Sequence, residues 1–356
     1  MDNPKKYLEE LLVETARSNA SDLHLSPAYY PTLRIDGRLV PLTNREILSQ
    51  DILGSVINAL LGEERAARFA TEKEADFSVS APGDIRFRVN VYQTNGGPAA
   101  ALRLIPKEIK KIEDLNLPPV LRVFTKLSQG FVLVVGPNGH GKSTTMASLI
   151  DEINHERGDK IVTIEDPIEY LFTPDKSIID QREVPQDSLS FDRALRSTFR
   201  ENVNVIMIGE MRDQETMSAA VSAAETGHLV FASLHTNSAS QTIERIIDSF
   251  PPGQQSQIRT QLASTLSGIV SQRLIPRIQG GLIPAVEVLV ATTAVRTLIR
   301  DNRPQQLDLV IETSQDVGMI SLDKSLAGLV NQKEITMEQA EFYSINPKNL
   351  RNYHGV

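Results

Sequence analysis

A chain of 356 residues is longer than one ordinary domain, so its length predicts two. Hydrophobic residues make up 40% of the chain, no apolar run approaches the roughly 20 residues that span a bilayer, and the N-terminus lacks the apolar core of a signal peptide. The absence of cysteine excludes disulfides and cysteine-ligated metal sites. A net charge of −8 and the lack of tryptophan argue against nucleic-acid binding. We therefore expect a cytoplasmic protein that binds no nucleic acid and does not insert into a membrane.

The first third of the chain has the pattern of a small α+β domain. Leucines recur at helical spacing after Pro4, and alternating apolar and polar residues further on are typical of strands. Asp36-Gly37 is a favourable hairpin turn. The predicted elements are a helix over 4–19, strands at 23–25, 33–35 and 39–40, a helix over 50–69, and strands over 86–92 and 99–104. We predict an α+β domain over residues 1–105.

A charged segment with prolines near both ends, residues 106–119, is predicted to be a linker and a hinge. Beyond it, compact β-rich runs alternate with helical stretches, and from about residue 291 the chain is predicted to be helical to its end. This alternation favours an α/β domain over residues 120–356, with a mostly parallel sheet covered on both faces. The β-rich runs are 131–135, 160–164, 205–208 and 229–234.

Residues 136–143 match the phosphate-binding P-loop pattern, with a predicted strand before them and a predicted helix from Lys142. Glycines in such a loop let backbone N–H groups point at phosphates, and the helix N-terminus adds partial positive charge. Lys142 is predicted to reach the β- and γ-phosphates of ATP, and Ser143 to hold Mg²⁺. The predicted nucleotide-binding residues are Gly136, Pro137, Asn138, Gly139, His140, Gly141, Lys142, Ser143 and Thr144.

Three further patterns place acids or a histidine directly after predicted strands. Glu210 is a Walker B candidate, near Mg²⁺ or the attacking water, although it also fits a solvated acid at a strand end. Glu165 and Glu169, on either side of a proline, suit metal or water positioning and equally suit a charged turn. His235 could sense the γ-phosphate or serve only as a structural hydrogen-bond donor.

These four elements, in this order and spacing, resemble the secretion ATPase superfamily that drives type II secretion and type IV pili. In that superfamily they are the Walker A, Asp box, Walker B and His box. The resemblance is strongest to the type IV pilus retraction ATPases, the PilT family, and extends over nearly the whole chain. Residues 209–213, 223–228 and 235–248 are especially similar to the family.

Two features favour retraction over extension within the superfamily. Extension ATPases generally have a larger N-terminal region and a four-cysteine metal site, whereas this chain is short and has no cysteine. Residues 294–301 resemble a C-terminal signature of the retraction family, although an ordinary amphipathic helix would give the same pattern. We predict a buried stripe and an opposite exposed polar face on this helix. The stripe is Val295, Leu298 and Ile299, and the face is Arg296, Thr297, Arg300 and Asp301.

The resemblance implies a RecA-like ATPase domain behind a smaller PAS-like N-terminal domain, assembled as a homohexamer. The ring would act at the cytoplasmic face of the inner membrane, on a platform protein of the pilus machinery. Arginines from a neighbouring subunit would complete each site. Residues 95–97 lack an arginine that the family often has there, so Arg86, Arg88 and Arg103 are the candidates.

The P-loop itself departs from the family, because Asn138 and His140 replace a common Thr and Ser. Both stand at variable positions, so we expect nucleotide binding to survive with an altered rate. Three alternatives stay open: an extension or secretion ATPase, a nucleic-acid translocase, and a catalytically inactive homologue. The acidic balance opposes the translocase, and intact Lys142, Ser143 and Glu210 oppose the inactive homologue.

Overall fold

The structure is a computed structural model that describes residues 3–35, 37–83, 85–105 and 108–354. It divides into two compact units. The first consists of Met1–Glu108 with the short segment Pro167–Leu171, and the second of Ile109–Asp166 with Phe172–Val356. Among the described residues, no helix has both the length and the apolar character needed to cross a membrane.

The first unit is an antiparallel sheet with two helices. Its elements are α1 (Pro4–Arg17), β1 (Asp22–Leu25), β2 (Thr32–Ile35), β3 (Arg38–Pro41), α2 (Gln50–Glu72), β4 (Glu74–Ala81), β5 (Ile85–Thr94) and β6 (Gly97–Ile105). The strand order is β3-β2-β1-β6-β5-β4, and every neighbouring pair is antiparallel. Helices α1 and α2 pack on each other and enclose a core that includes Leu11, Leu23, Leu53, Ile57, Phe77 and Phe87.

The helices and strands predicted for this region are confirmed, and one strand was missed. Helix α1 begins after Asn3, whose side chain accepts a hydrogen bond from the Lys6 N–H, as N-caps do. Helix α2 is interrupted at Gly62, where φ is 70°. The missed strand is β4, although its apolar residues alternate. Asp36 of the predicted hairpin turn lies outside the described residues.

The second unit contains a seven-stranded sheet and most of the helices. Its elements are α3 (Arg122–Thr125), β7 (Gly130–Val135), α4 (Lys142–Glu156), β8 (Lys160–Glu165), β9 (Ile178–Glu183), α5 (Phe191–Thr198), β10 (Val205–Ile208), α6 (Gln214–Glu225), β11 (Leu229–Leu234), α7 (Ala239–Asp248), α8 (Pro252–Thr265), β12 (Leu266–Pro276), β13 (Leu282–Val290), α9 (Thr293–Arg300), α10 (Leu307–Thr313), α11 (Leu322–Asn331), α12 (Met337–Tyr343) and α13 (Pro347–His354).

The sheet of the second unit has the order β13-β12-β7-β11-β10-β8-β9. All neighbouring strands are parallel except the antiparallel pair β12 and β13. Every residue of β7, β10 and β11 is buried, so protein covers both faces of the sheet centre. The predicted α/β class, with a central parallel sheet and a helical C-terminal part, is confirmed.

Side-chain caps explain where several helices of the second unit begin. A Ser, Thr or Asp stands just before the first turn and accepts a hydrogen bond from an otherwise unpaired backbone N–H. The capping residues are Ser190, Asp213, Ser238, Thr292, Ser321 and Thr336. The predicted domain boundaries at 105 and 120 and the hinge over 106–119 stay predictions, and Pro106 and Lys107 lie outside the described residues.

Candidate nucleotide site

Four neighbouring strands of the parallel sheet end at the same edge. In spatial order they are β7, β11, β10 and β8. The residues that follow or end them are the P-loop, His235, Glu210 and Glu165, respectively. Carboxyl ends of parallel strands are where open α/β sheets bind their ligands. Four elements widely separated in sequence therefore meet at one edge of the sheet.

The P-loop joins β7 directly to α4 and passes close to β12. A Cβ atom on Gly136 would lie 2.3 Å from the carbonyl oxygen of Gln272, so only glycine fits there. Gly141 caps α4 with a left-handed backbone, at φ 80°. The loop tip, Asn138 and Gly139, is exposed, and Ser143 and Thr144 lie half-buried in the first helical turn. Exposed backbone before a helix N-terminus suits phosphate binding.

Lys142 is only 7% exposed, and its ammonium group lies among three acceptors. The Nζ atom donates to the carbonyl oxygens of Gly136 and Pro137, each at 3.0 Å. It also lies 3.2 Å from Nδ1 of His235. The lysine is therefore folded back over its own loop and reaches the His box.

His235 connects Lys142 to Glu210 and has only one neutral tautomer that fits. An ammonium group can only donate, so Nδ1 of His235 accepts and its proton lies on Nε2. Nε2 lies 2.9 Å from Oε1 of Glu210 and donates to it. Lys142, His235 and Glu210 thus form one continuous hydrogen-bonded chain.

Arg212 occupies the other oxygen of Glu210 and was not among the predicted site residues. Its Nε donates to Glu210 Oε2 at 3.0 Å, and its Nη1 lies 3.3 Å from Asp166 Oδ2. Burial lowers the pKa of Arg212, but hydrogen bonding and charge from the two carboxylates outweigh burial and raise it. The sequence signals at Arg212 are its position two residues after Glu210 and the family resemblance of residues 209–213.

Glu165 is buried at the end of β8, beside the strand that carries Glu210. Its Oε1 accepts from the Thr163 hydroxyl at 2.7 Å and from Gln181 Nε2 at 3.4 Å. The backbone N–H of Gly209 donates to Ile164 O at 2.8 Å, which sets the two strand ends side by side. Glu165 is therefore a fixed, hydrogen-bonded acid and not part of a solvated turn.

The remaining predicted residues have partners within the first unit. Arg86 Nη2 donates to the Ser78 hydroxyl at 2.6 Å, and Arg88 Nη1 pairs with Glu169 Oε1 at 3.5 Å. Arg103 Nε donates to Asp22 at 2.9 Å. Burial raises the pKa of Asp22, but hydrogen bonds from Ser21 and Arg103 outweigh it and leave the pKa lowered. Roles for these arginines and for Glu169 at the nucleotide site stay predictions.

Helix α9 contains the predicted retraction signature, and the prediction of its exposed face is wrong for Arg296. This side chain is half-buried, and its guanidinium donates to backbone carbonyls of Ala291, Ala263 and Ser264 at 3.2, 2.9 and 2.6 Å. Burial lowers the pKa of Arg296. Arg296 ties α9 to the end of α8, which helical periodicity alone could not reveal. Thr297, Arg300 and Asp301 are exposed as predicted.

Residues 2–281 match the family described as type II/IV secretion system protein. The chain belongs to this family. Two relatives of this secretion family align over most of the chain. The type IV pilus retractation ATPase PilT of Pseudomonas aeruginosa is 40% identical over 348 residues, 96% of this chain and 99% of that protein. A twitching motility protein of Neisseria gonorrhoeae is 40% identical over 321 residues, 90% of this chain and 86% of that protein.

A solved structure extends the family likeness to the fold. The crystal structure of the pilus retraction motor PilT with bound ADP superimposes with a TM-score of 0.89 at 43% sequence identity. The match covers 97% of this chain and 98% of that one. The predicted fold class, a RecA-like P-loop ATPase domain with a smaller N-terminal domain, and the predicted resemblance to the PilT family are confirmed.

Proposed function

We propose that this chain is an ATP-hydrolysing motor that powers retraction of type IV pili and hence twitching motility. One observation carries the proposal: a P-loop lysine, His235 and Glu210 form a hydrogen-bonded chain in a protein that matches a retraction ATPase along 96% of its length. The hydrogen-bonded chain supports ATP chemistry. The full-length likeness supports retraction as the work that the chemistry drives.

The P-loop residues suit the triphosphate of ATP. Lys142 would turn from its backbone carbonyls to the β- and γ-phosphates, and the N–H groups before α4 would bind phosphate oxygens. Ser143 and Glu210 would offer oxygen ligands to Mg²⁺, which usually takes one or two protein oxygens plus phosphates. The ion would partly neutralise the negative charge of the phosphate oxygens during hydrolysis.

Glu210 is the proposed general base. A base must accept a proton from the attacking water, and both oxygens of Glu210 already accept hydrogen bonds from His235 and Arg212. Each carboxylate oxygen has a second lone pair, so Glu210 can accept from the attacking water while His235 and Arg212 hold its orientation.

The proposed assembly is a homohexameric ring at the cytoplasmic face of the inner membrane, where it acts on a platform protein of the pilus machinery. Arginines from a neighbouring subunit would stabilise the charge on the transferred phosphoryl group. Arg86, Arg88 and Arg103 are the candidates. Family resemblance supports these proposals, and ATP-driven movement between domains would convert turnover into work.

The proposal is tested with Glu210→Gln, which keeps the shape of the side chain and removes the base. Purified Glu210→Gln should bind ATP with near-native affinity, while its turnover falls about 10²-fold or more. Cells carrying it should keep surface pili but lose twitching. Glu215→Gln is the matched control, because it makes the same change at an exposed residue of α6 and should leave both properties intact.

Three results would contradict parts of the proposal. Wild-type turnover in Glu210→Gln would exclude Glu210 as the base. Loss of ATP binding by folded Glu210→Gln would indicate that Glu210 acts by holding Mg²⁺ and not as the base. Fewer surface pili, in place of unretracted pili, would indicate an extension motor.

A further inference from the structure

Hydrogen bonds made by side chains of the P-loop and of β12 hold these two segments together. His140, at the fifth position of the loop, accepts a hydrogen bond on Nδ1 from the Leu274 N–H at 2.9 Å. Gln272 Nε2 donates to the His140 carbonyl oxygen at 2.8 Å. Gln272 Oε1 accepts from the Thr145 hydroxyl of α4 at 2.7 Å. We refer to these four residues, His140, Thr145, Gln272 and Leu274, as the β12 latch.

The amide of Gln272 can fit the latch in only one orientation. The carbonyl of His140 can only accept, so the NH₂ group must face it and the amide oxygen must face Thr145. Gln272 is 3% exposed, so water cannot readily replace either bond. Losing one would leave a buried polar group unpaired.

Backbone contacts hold the same surfaces together. A Cβ atom on Gly141 would lie 2.8 Å from Gln272 Nε2, and one on Gly136 would lie 2.3 Å from Gln272 O. The loop therefore contacts β12 at both of its ends. Contacts with β12 therefore help to fix the conformation in which the P-loop presents its backbone N–H groups. The connections to β7 and α4 are not the only constraint on this loop.

The hydrogen bond from Leu274 requires a neutral His140 with its proton on Nε2. Burial lowers the pKa of His140, and the nearby charges of Arg273 on β12 and Lys142 in the loop lower it further. The acceptor form is therefore the one present near neutral pH. His140 stands where a serine is common in the family, and the Leu274 N–H on β12 donates a hydrogen bond to it.

The hairpin of β12 and β13 also holds the segment after His235. The Ser271 hydroxyl donates to Asn237 O at 3.0 Å. On β13, Glu287 Oε1 accepts from the Ala239 N–H at 2.7 Å, at the start of α7. One hairpin thus positions both the phosphate-binding loop and the His-box segment.

We propose that His140 and Gln272 are positioning residues for nucleotide binding, which set the P-loop backbone against β12 before the phosphates arrive. This inference rests on the proposed nucleotide site. A preset loop loses less conformational freedom when the ligand binds, so it binds more tightly. ATP and ADP both use this loop, so the latch should affect their affinities alike and leave the chemical step nearly unchanged.

The test measures ATP and ADP affinity, KM and kcat for His140→Leu, His140→Asn and Gln272→Leu. His140→Leu and Gln272→Leu should each weaken the binding of both nucleotides about 10-fold, with kcat within about 2-fold, since each variant loses a hydrogen bond and leaves its buried partner unpaired. His140→Asn should restore near-native affinity, because its side-chain oxygen can accept from Leu274. His155→Leu, an exposed histidine at the far end of α4, is the matched control.

Each outcome decides the inference. The double variant His140→Leu with Gln272→Leu should lose less affinity than the two losses added, because both act on one latch. Native affinity in His140→Leu, or no rescue by His140→Asn, would overturn the latch. If Lys142→Ala abolishes binding while His140→Leu binds both nucleotides with native affinity, the proposed function stands and the inference fails. If the unmodified protein binds no nucleotide, both fail.

Discussion

Glu287 is an ionisable residue whose main effect is on stability. It is 5% exposed and accepts the Ala239 N–H at the start of α7. Its pKa is raised from the ordinary 4.5 to about 7, mainly by burial, and the charges of Asp308 and Asp323 contribute to the rise. The Ala239 N–H and Arg273 act in the opposite direction but do not cancel burial. The folded protein therefore holds a proton that the unfolded chain releases.

This retained proton predicts a pH-dependent stability. Above pH 4.5 the unfolded chain loses the proton and the folded protein keeps it until about pH 7, so the free energy of unfolding falls as pH rises through this window. Glu287→Gln keeps an acceptor for Ala239 and has no proton to lose. It should match the wild type at about pH 4 and be more stable by about 3 kcal/mol at about pH 8.

Urea unfolding of both proteins across this range measures the effect. Parallel stability profiles of wild type and Glu287→Gln would show that Glu287 titrates normally. A variant that is less stable at every pH would show that the carboxylate itself holds α7.

Residues within one continuous motif could be predicted from the sequence, and residues that act across the sheet could not. Lys142 and Glu210 carry local signals, a loop pattern and an acid after an apolar strand. Gln272 and Glu287 lie far along the chain from the groups they bind, and no local pattern marks them. Arg296 fits an exposed helical position and is distinguished only by the carbonyls around it.

At the scale of single elements, α9 presents two arginines with different surroundings. Arg300 is exposed, whereas Arg296 donates to three backbone carbonyls. The two residues lie one helical turn apart. Substituting each one separately therefore tests a surface role and a structural role within a single helix. We therefore expect Arg300, and not Arg296, to serve the retraction role that the resemblance of residues 294–301 implies.

Arg300→Ala should keep the fold and the ATPase activity and abolish twitching. Exposed substitutions usually change stability by only about ±0.5 kcal/mol. Arg296→Ala should instead lower the melting temperature, because it leaves carbonyls at the end of α8 without a donor, at a cost of about 1–3 kcal/mol. Thermal unfolding measures the stability of both variants, ATP turnover measures the ATPase activity, and twitching distance measures retraction.

Arg303→Ala is the matched control, since it removes an exposed arginine just beyond the signature. Normal twitching with Arg300→Ala would exclude a motor role for this face. An unchanged melting temperature in Arg296→Ala would mean that water donates to these backbone carbonyls in place of the arginine.

In the seven-stranded sheet, the strands with a strong apolar pattern were predicted, and those at its margins were missed. The four central strands, β7, β8, β10 and β11, are short apolar runs between helices, and all were predicted. Strands β9, β12 and β13 were not. Strand β9 is mostly polar, and β12 and β13 form a hairpin within a region of helices, where an apolar run fits either structure.

At the scale of the whole molecule, the proposed ring makes each active site depend on two chains. If Arg86, Arg88 or Arg103 acts on a neighbour's nucleotide, turnover per chain should rise with protein concentration as rings form. A mixture of two inactive variants should also regain activity. In a mixed ring, Glu210→Gln chains supply intact arginines and the arginine variant supplies intact Glu210. Some sites between neighbouring chains then contain an intact arginine together with an intact Glu210.

The complementation is measured as ATP turnover against mixing ratio, with each arginine replaced by alanine in turn. The arginine whose variant is complemented by Glu210→Gln is the one that acts between subunits. Full activity at concentrations where only single chains are present would refute the ring. Asp22→Asn, which removes the negative charge that pairs with Arg103, distinguishes a role of Arg103 within the first unit from a role between subunits.

The position of Lys142 changes what a nucleotide affinity measures. An ammonium group has three hydrogens to donate, and three acceptors already surround this one: two carbonyls of its own loop and an imidazole. Uptake of a phosphate is therefore a replacement reaction, in which old acceptors leave as new ones arrive. The affinity reports the difference between the two sets. A lysine-to-alanine comparison will understate the attraction between ammonium and phosphate by whatever the resting contacts contribute.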